Sequence, residues 1–105
     1  MSTAYTQAIR TDEIPAGECR AVTIGQDRVV VCNAGGEFYA IEDVCSHDQS
    51  PLDAQRIDEM AIECPRHGAR FDIRSGVALR MPAIAPVRAF PTKVIGDHVY
   101  VGLDA

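Results

Sequence analysis

The chain has 105 residues, of which 47% are hydrophobic and 24% are charged, a composition typical of one small globular domain and unlike that of disordered or low-complexity chains. A domain of this size excludes most self-sufficient enzymes and is often stabilised by a metal, a disulfide or a partner. The net charge of −5 disfavours a general nucleic-acid or anionic-membrane binder.

Apolar alternation and turn residues recur about every ten residues, a pattern typical of short antiparallel strands. The predicted strands are Cys19–Ile24, Arg28–Asn33, Glu37–Glu42, Ala61–Cys64, Ala69–Ile73, Pro86–Ile95 and His98–Gly102. Turns are predicted at Gly25-Gln26-Asp27, Gly35-Gly36, Ser75-Gly76 and Gly96-Asp97, and Gly35-Gly36 is the strongest hairpin signal. The sequence therefore predicts a mostly β fold. Four of the six prolines lie between Pro65 and Pro91, which argues against a long helix in the C-terminal half.

One segment interrupts this strand rhythm. Between Asp43 and Arg70 the chain is polar and punctuated by Gly and Pro, and only Ala61-Ile62-Glu63 resembles a strand there. A loop-rich insertion of this length in so small a domain is more often functional than decorative. The functional residues are therefore expected in this segment.

The insertion contains Cys45-Ser46-His47 and Cys64-Pro65-Arg66-His67-Gly68. Thiolate and imidazole are ligands for zinc, iron–sulfur clusters and copper. A structural zinc site is one interpretation of two Cys and two His. Zinc fingers, however, usually pair Cys with Cys and His with His, whereas each loop here supplies one of each. If two irons were bridged by sulfide, each loop could give a thiolate to one iron and an imidazole to the other.

The pattern C-x-H followed by C-P-x-H-G resembles the Rieske iron–sulfur motif, and the chain is similar to Rieske-type ferredoxins over essentially its whole length. Further matching positions are Phe71-Asp72, Ser75-Gly76, Pro82, Pro86-Val87 and Val99-Tyr100-Val101. The resemblance implies one [2Fe–2S] cluster, with Cys45 and Cys64 on one iron and His47 and His67 on the other.

The same resemblance implies one Rieske domain over residues 1–105, folded as a small antiparallel β-barrel or sandwich. Residues 1–42 and 72–105 would form its basal part, and residues 43–71 would form a loop-rich cluster-binding subdomain. In that subdomain Gly68 would permit the tight backbone turn that follows the last ligand.

Four departures from the family pattern bear on the cluster. Asp48 stands where Gly is common. Arg66 and the residues around Asp48 replace the extra cysteines that form a disulfide in respiratory-chain relatives. Ala69 and Phe71 stand where those relatives aim Ser and Tyr hydroxyls at cluster sulfurs. We therefore expect a reduction potential at the low end of the Rieske range, which spans roughly −150 to +300 mV.

The sequence contains no nucleotide-binding Gly-rich loop, flavin site, catalytic triad or 2-His-1-carboxylate motif, so an electron carrier rather than an enzyme is expected. The ferredoxins that the chain resembles pass single electrons from a flavin-dependent ferredoxin reductase to the terminal oxygenase of aromatic-ring-hydroxylating dioxygenase systems. The resemblance thus implies these two partners, with no nucleic acid and no membrane.

Two alternatives remain at this point. The first is the small subunit of an assimilatory nitrite reductase, which has the same fold and would co-purify with a large sirohaem subunit. The second is a zinc-stabilised interaction module, which would be colourless and contain no iron or sulfide. Under each of these interpretations the chain is expected to be soluble and cytoplasmic, because its sequence has no apolar signal or spanning segment.

The remaining cysteines and histidine belong to no motif. Cys19 and Cys32 lie in predicted strands and are interpreted as ordinary buried thiols. His98, beside the Gly96-Asp97 turn, is interpreted as a surface strand residue.

The charge is unevenly distributed along the chain. Residues 1–63 carry twelve acids and four arginines, whereas residues 64–105 carry six bases and three acids. One interpretation is two differently solvated faces. The other is that the arginines near the second ligand pair steer an acidic partner surface toward the cluster. The candidates are Arg66, Arg70, Arg74 and Arg80.

Overall fold

The computed structural model describes residues 4–45, 49, 51–52, 56–65, 68–81 and 85–104. These residues form strands β1 (Tyr5–Arg10), β2 (Cys19–Ile24), β3 (Asp27–Ala34), β4 (Glu37–Glu42), β5 (Ala61–Glu63), β6 (Arg70–Asp72), β7 (Ala78–Arg80), β8 (Ala89–Phe90), β9 (Thr92–Ile95) and β10 (His98–Gly102), and a 3-10 turn at Thr11–Glu13. In this described part of the chain, no helix has the length and apolarity that crossing a bilayer requires.

The strands form three sheets with the orders β1-β10-β9, β2-β3-β4-β8 and β5-β6-β7. Neighbouring strands pair antiparallel in each of them. The predicted mostly β, antiparallel fold is therefore confirmed. The second sheet lies in the middle, because its two faces contribute to two separate clusters of buried residues.

We call the first of these clusters the basal core. It lies between the middle sheet and the sheet of β1, β9 and β10. Its members are Ile14, Val29, Val31, Ala40, Phe90, Val99 and Val101. All of them are hydrocarbon side chains, and all but Ile14 lie on strands. The basal core is therefore an apolar filling between two sheets.

We call the second cluster the site core. It lies between the opposite face of the middle sheet and the sheet of β5, β6 and β7. Its members are Cys19, Val30, Cys32, Ile41, Cys45, Leu52, Ile62, Cys64, Ala69, Phe71, Ile73 and Val87. All four cysteines of the chain belong to it, and several members come from loops. The predicted ligand loops are therefore attached to this side of the middle sheet.

Strand β3 separates the two cores. Val29 and Val31 belong to the basal core, whereas Val30 and Cys32 belong to the site core. This alternation follows from the period of two along a strand. Because both faces of β3 are covered, its residues from Val29 to Cys32 are all apolar and do not alternate with polar residues.

Several predicted strands agree with the structure. Cys19–Ile24, Glu37–Glu42 and His98–Gly102 are confirmed at both ends, and β3 is one residue longer at each end than predicted. The predicted Gly35-Gly36 hairpin is also confirmed: both glycines have positive φ, 65° and 99°, as the tight connection from β3 to β4 requires.

The predicted single strand Pro86–Ile95 is wrong. The segment forms two strands in different sheets, since β8 pairs with β4 and β9 pairs with β10. The break falls at Pro91, which has no N–H to donate to a ladder and whose carbonyl oxygen accepts the N–H of Gly102 at 2.9 Å. Pro91 thus marks the point where the chain crosses from the middle sheet to the sheet of β1, β9 and β10.

The strands beside the second ligand loop are shorter than predicted. β5 ends at Glu63 instead of Cys64, and β6 covers Arg70–Asp72 instead of Ala69–Ile73. The last ladder pair is Glu63 with Arg70. Beyond this pair the chain turns at once into the loop that contains the predicted ligands.

Candidate metal centre

The two predicted ligand loops differ in how they are attached to the fold. The first leaves β4 and runs back to the site core at Leu52, whereas the second is the connection between β5 and β6. Cys45 and Cys64 are fully buried, each with 0% of its surface exposed, and both belong to the site core. The structure thus brings the two predicted thiolate ligands into one core.

The other two predicted ligands, His47 and His67, lie outside the described residues. The same is true of Asp48, which stands where Gly is common in the family, and of Arg66, a candidate for steering an acidic partner surface. The described part of the candidate site therefore consists of the two cysteines and the backbone around them.

Each cysteine begins the same kind of turn. The carbonyl oxygen of Cys45 accepts the N–H of Gln49 at 2.7 Å, and that of Cys64 accepts the N–H of Gly68 at 2.8 Å. The fourth residue after each cysteine is left-handed, with φ of 63° at Gln49 and 77° at Gly68. The tight turn that the sequence predicted at Gly68 is confirmed.

Gln49 was missed by sequence reasoning. A left-handed conformation is unfavourable for a residue with a Cβ, by about 1–2 kcal/mol. The sequence carries no glycine at this position to signal the turn. The repeated turn is therefore visible only in the structure, where each cysteine carbonyl oxygen accepts the N–H of the fourth residue after it.

The first loop is anchored by a buried carboxylate that the sequence analysis also missed. Asp43 is 5% exposed; its Oδ1 accepts the N–H of Leu52 at 3.0 Å, and its Oδ2 accepts the guanidinium Nη2 of Arg28 at 2.8 Å. Its own N–H donates to the carbonyl oxygen of Arg28 at 2.9 Å. Asp43 therefore joins both ends of the first loop to β3.

The second loop is anchored by the sheet itself. The N–H of Cys64 donates to the carbonyl oxygen of Ala69 at 2.8 Å, one step beyond the ladder of β5 and β6. Ala69 and Phe71 are fully buried and belong to the site core together with Cys45 and Cys64. The two side chains that stand in place of family hydroxyls thus lie in the same core as both predicted thiolate ligands.

The remaining two thiols also lie in the site core but form a separate pair. Cys19 and Cys32 face each other across β2 and β3 and are 1% and 0% exposed. The hydrogen bond with Cys19, together with burial, raises the pKa of the Cys32 thiol. Both are buried thiols, as predicted, and a raised pKa keeps Cys32 protonated and unreactive at neutral pH.

Three of the four arginines considered for partner steering, all but Arg66, lie in the described residues and are paired with acidic side chains. Arg70 lies 3.1 Å from Asp58 and 3.2 Å from Glu63, and its side chain is only 14% exposed. Arg80 shares the same Glu63 carboxylate at 3.2 Å. These two guanidiniums therefore offer less charge to a partner than the sequence suggests.

Arg74 is likewise paired, on the turn after β6. Its Nη2 lies 2.8 Å from Oδ2 of Asp72, and this hydrogen bond lowers the pKa of the Asp72 carboxyl. The Asp72 Oδ1 also accepts the N–H groups of Arg74 and Ser75 at 2.7 and 3.2 Å. The pair stabilises the turn rather than leaving a free cation.

The donor chemistry of the site fits an iron–sulfur group. Two thiols are buried in one core, and each begins a loop that the sequence continues into a histidine. Soft thiolates and imidazoles together suit an iron–sulfur cluster or zinc and do not suit magnesium or calcium. The comparison with known proteins decides between these two.

Residues 4–91 match the model of the Rieske [2Fe-2S] domain. The chain belongs to the Rieske family. It is 37% identical over 101 residues to the ferredoxin component of biphenyl 2,3-dioxygenase from Rhodococcus jostii (strain RHA1), which covers 96% of this chain and 94% of the relative. The iron–sulfur interpretation is thereby favoured over the zinc module.

Solved Rieske structures share the fold. The ferredoxin of carbazole 1,9a-dioxygenase from Nocardioides aromaticivorans IC177 superposes with a TM-score of 0.87 at 35% identity, over 96% of this chain and 98% of that one. A chain from the complex of reduced oxygenase and oxidized ferredoxin in carbazole 1,9a-dioxygenase gives 0.85 at 29% identity, over 96% and 94%. The Rieske chain described here is therefore a ferredoxin, an electron carrier with one Rieske-type [2Fe–2S] cluster.

Proposed function

We propose that Cys45 and Cys64 bind one iron of the cluster and that His47 and His67 bind the other. The observation that carries this assignment is the matched pair of turns, in which both cysteines are buried in one core and both carbonyl oxygens accept the N–H four residues on. Each turn begins at a buried cysteine, and in the sequence each histidine lies between that cysteine and the left-handed fourth residue.

The exposure of the residues around the two loops indicates the side from which electrons would leave the cluster. Cys45 and Cys64 are fully buried, whereas Gln49 and Pro65, which flank the histidine positions, are exposed. The two thiols are thus shielded from water in the site core, whereas the described residues nearest the histidine positions are in contact with solvent. The bound cluster supplies a one-electron couple, and replacing two thiolates by neutral imidazoles makes electron uptake easier than in an all-thiolate cluster.

We propose that the chain passes single electrons from a flavin-dependent ferredoxin reductase to the terminal oxygenase of an aromatic-ring-hydroxylating dioxygenase. Support comes from the relatives, which are named as ferredoxin components of such dioxygenases. One structural neighbour was solved together with its oxygenase. These names favour the ferredoxin role over the small subunit of a nitrite reductase.

We further propose that residues 43–71 are the cluster-binding subdomain and that residues 1–42 and 72–105 are the basal part. Strand β7 lies beyond residue 71 but pairs with β6, so it adds an outer edge to the subdomain. A cytoplasmic location is proposed with this function, because two of the four cysteines are assigned as metal ligands and reducing compartments keep cysteines as thiols.

The test is a single-turnover electron transfer. The purified, reduced holoprotein is mixed anaerobically with an oxidised terminal oxygenase of the biphenyl type, and the cluster absorbance is followed by stopped flow. We expect the chain to be reoxidised with one electron transferred per chain, and the Cys64→Ser variant to give no signal. Failure of the holoprotein to reduce any such oxygenase, with tight co-purification with a sirohaem subunit, would support the nitrite reductase alternative.

A further inference from the structure

We propose that Asp43 and Arg28 form a positioning pair that fixes the first ligand loop and, by cancelling each other's charge, sets the reduction potential of the carrier. This inference rests on the proposed function, because it assigns the first loop to the cluster. It adds two residues that belong to neither ligand motif. Both lie in the described part of the chain.

The geometry of the carboxylate carries the first half of the proposal. The two oxygens of Asp43 bind different elements: Oδ1 accepts the N–H of Leu52 at 3.0 Å, and Oδ2 accepts Arg28 Nη2 at 2.8 Å. The side chain of Asp43 is 1% exposed. The loop that contains Cys45 therefore begins and ends on one carboxylate, and that carboxylate is tied to β3.

The backbone reinforces this attachment. The N–H of Asp43 donates to the carbonyl oxygen of Arg28 at 2.9 Å, so the two residues are joined through both main chain and side chain. The residue after Asp43, Val44, donates its N–H to the carbonyl oxygen of Glu42 at 2.9 Å. After β4 the backbone is thus held by hydrogen bonds at Asp43 and Val44, the two residues that precede Cys45.

Arg28 is the guanidinium that compensates the buried carboxylate. A second arginine, Arg88, lines the same surface depression of about 290 Å³, but its Nη2 donates to the carbonyl oxygen of Leu103 at 3.1 Å and its guanidinium stacks over Phe90 at 4.8 Å. Arg88 is therefore engaged elsewhere. A buried charge without its counter-ion is strongly unfavourable, and loss of Arg28 leaves the Asp43 carboxylate, two residues from Cys45, with the N–H of Leu52 as its remaining side-chain partner among the described residues.

The sign of the effect on the potential follows from this arrangement. Reduction adds one negative charge to the site, so a nearby unpaired anion opposes it and a nearby unpaired cation favours it. Arg28→Met should lower the potential, and Asp43→Asn should raise it. Because the side chain of Arg28 is 53% exposed and its charge is screened by solvent, the rise should be smaller than the fall.

The experiment is film voltammetry on the isolated holoprotein and its variants at low salt. We expect Arg28→Met to shift the reduction equilibrium threefold to tenfold toward the oxidised state, where tenfold corresponds to about 59 mV for one electron. The double variant Arg28→Met/Asp43→Asn should return close to the parent potential. Arg28→Lys, which keeps the charge, should also stay close to it.

The matched control is the exposed pair Arg10 and Asp12, which lie 3.2 Å apart at the end of β1; among the described residues, the guanidinium of Arg10 also pairs with Asp97 at 3.0 Å, away from both cysteines of the ligand loops. Arg10→Met and Asp12→Asn make the same changes in net charge and should leave the potential unchanged. The proposal is overturned if the Arg28 and Asp43 variants retain the cluster and move the potential no more than these controls, or if Arg28→Lys shifts it as far as Arg28→Met.

Hydrogen exchange at the amide of Leu52 is a second measurement, which also applies to variants that do not retain the cluster. Asp43→Asn keeps an acceptor for the N–H of Leu52, whereas Asp43→Ala removes it, so only Asp43→Ala should speed hydrogen exchange at that amide by tenfold or more. Equal exchange in the two variants contradicts the positioning role. Failure of the proposed function is seen separately, as a parent protein with no cluster or with no transfer to an oxygenase.

Discussion

The two faces of the middle sheet bury cores of different kinds. The basal core contains only hydrocarbon side chains, nearly all of them on strands, and can be filled by the chain alone. The site core contains all four cysteines and takes Cys45, Leu52, Cys64 and Ala69 from loops. A core closed by loops has few ladder hydrogen bonds to hold it together.

This difference indicates that the two cores are stabilised in different ways. The basal core stabilises the sheets by burying apolar surface, at about 25 cal/mol per Å². With the proposed ligands, we expect the cluster to act as an additional cross-link between the two loops of the site core, because ligand binding free energy becomes folding free energy in small metallodomains. Substitutions in one core or the other should therefore have separable effects.

Substitution of a ligand thiol should disrupt the site core most. Cys64→Ser should abolish the visible spectrum and lower the free energy of unfolding by about 3 kcal/mol or more, a fall in melting temperature of roughly 10–20 °C for a domain of this size. Cys19→Ser makes the same chemical change in the same core. It should keep the spectrum and lose about 1–2 kcal/mol from burying a hydroxyl. A colourless Cys64→Ser protein that melts at the parent temperature would refute the stabilising role of the cluster.

Two neighbouring valines on β3 provide a matched test of the two cores. Val30 and Val31 are 1% and 0% exposed, and truncation of either to Ala should lower the free energy of unfolding by about 2 kcal/mol. Only Val30→Ala, which opens the site core, should speed release of iron to a chelator. Equal release rates in the two variants would mean that the two cores are not independent.

Hydroxyl groups introduced into the site core should tune the potential. A hydroxyl that donates to a cluster sulfur binds the reduced state more strongly, so Ala69→Ser and Phe71→Tyr should each raise the potential by tens of millivolts, given about 59 mV per tenfold change in equilibrium. The two effects should add only approximately, because both act on one cluster. Voltammetry that finds an unchanged or lower potential in both single variants and the double variant would show that these side chains do not face the sulfurs.

The smallest effect is expected from the surface arginines. Arg66→Glu should slow electron transfer to the oxygenase and leave the potential nearly unchanged, and added salt should slow the parent protein as well. Arg74→Gln should have less effect, since Asp72 already neutralises Arg74 at 2.8 Å. Stopped-flow rates at increasing salt measure both variants, and a transfer rate independent of salt would favour two differently solvated faces.

The sequence predicted the strands whose surroundings give a regular pattern. β2, β4 and β10 were placed correctly because local alternation and glycine turns define their ends. β1 was missed because its exposure does not alternate and its pairing with β10 is interrupted by a bulge. β7 was missed because it is a largely exposed edge strand of three residues.

The sequence could predict only those features of the candidate site that depend on residues close together in the chain. The spacing of Cys and His within each loop pointed to Cys45 and Cys64, and Gly68 signalled its own turn. The matching turn at Gln49 carries no glycine, so no local signal was available. The contact between Asp43 and Arg28 joins residues fifteen positions apart, and it becomes visible only once β3 and β4 are paired.

The most direct test of the two-core account is hydrogen exchange measured by mass spectrometry on the holoprotein and on Cys64→Ser. The amides of Ile62 and Phe71, on β5 and β6 in the site core, should exchange at least about tenfold faster in the variant, as in a local opening. The amides of Val99 and Val101, on β10 in the basal core, should keep most of their protection. Equal loss of protection in both cores, or no loss in either, would contradict the account.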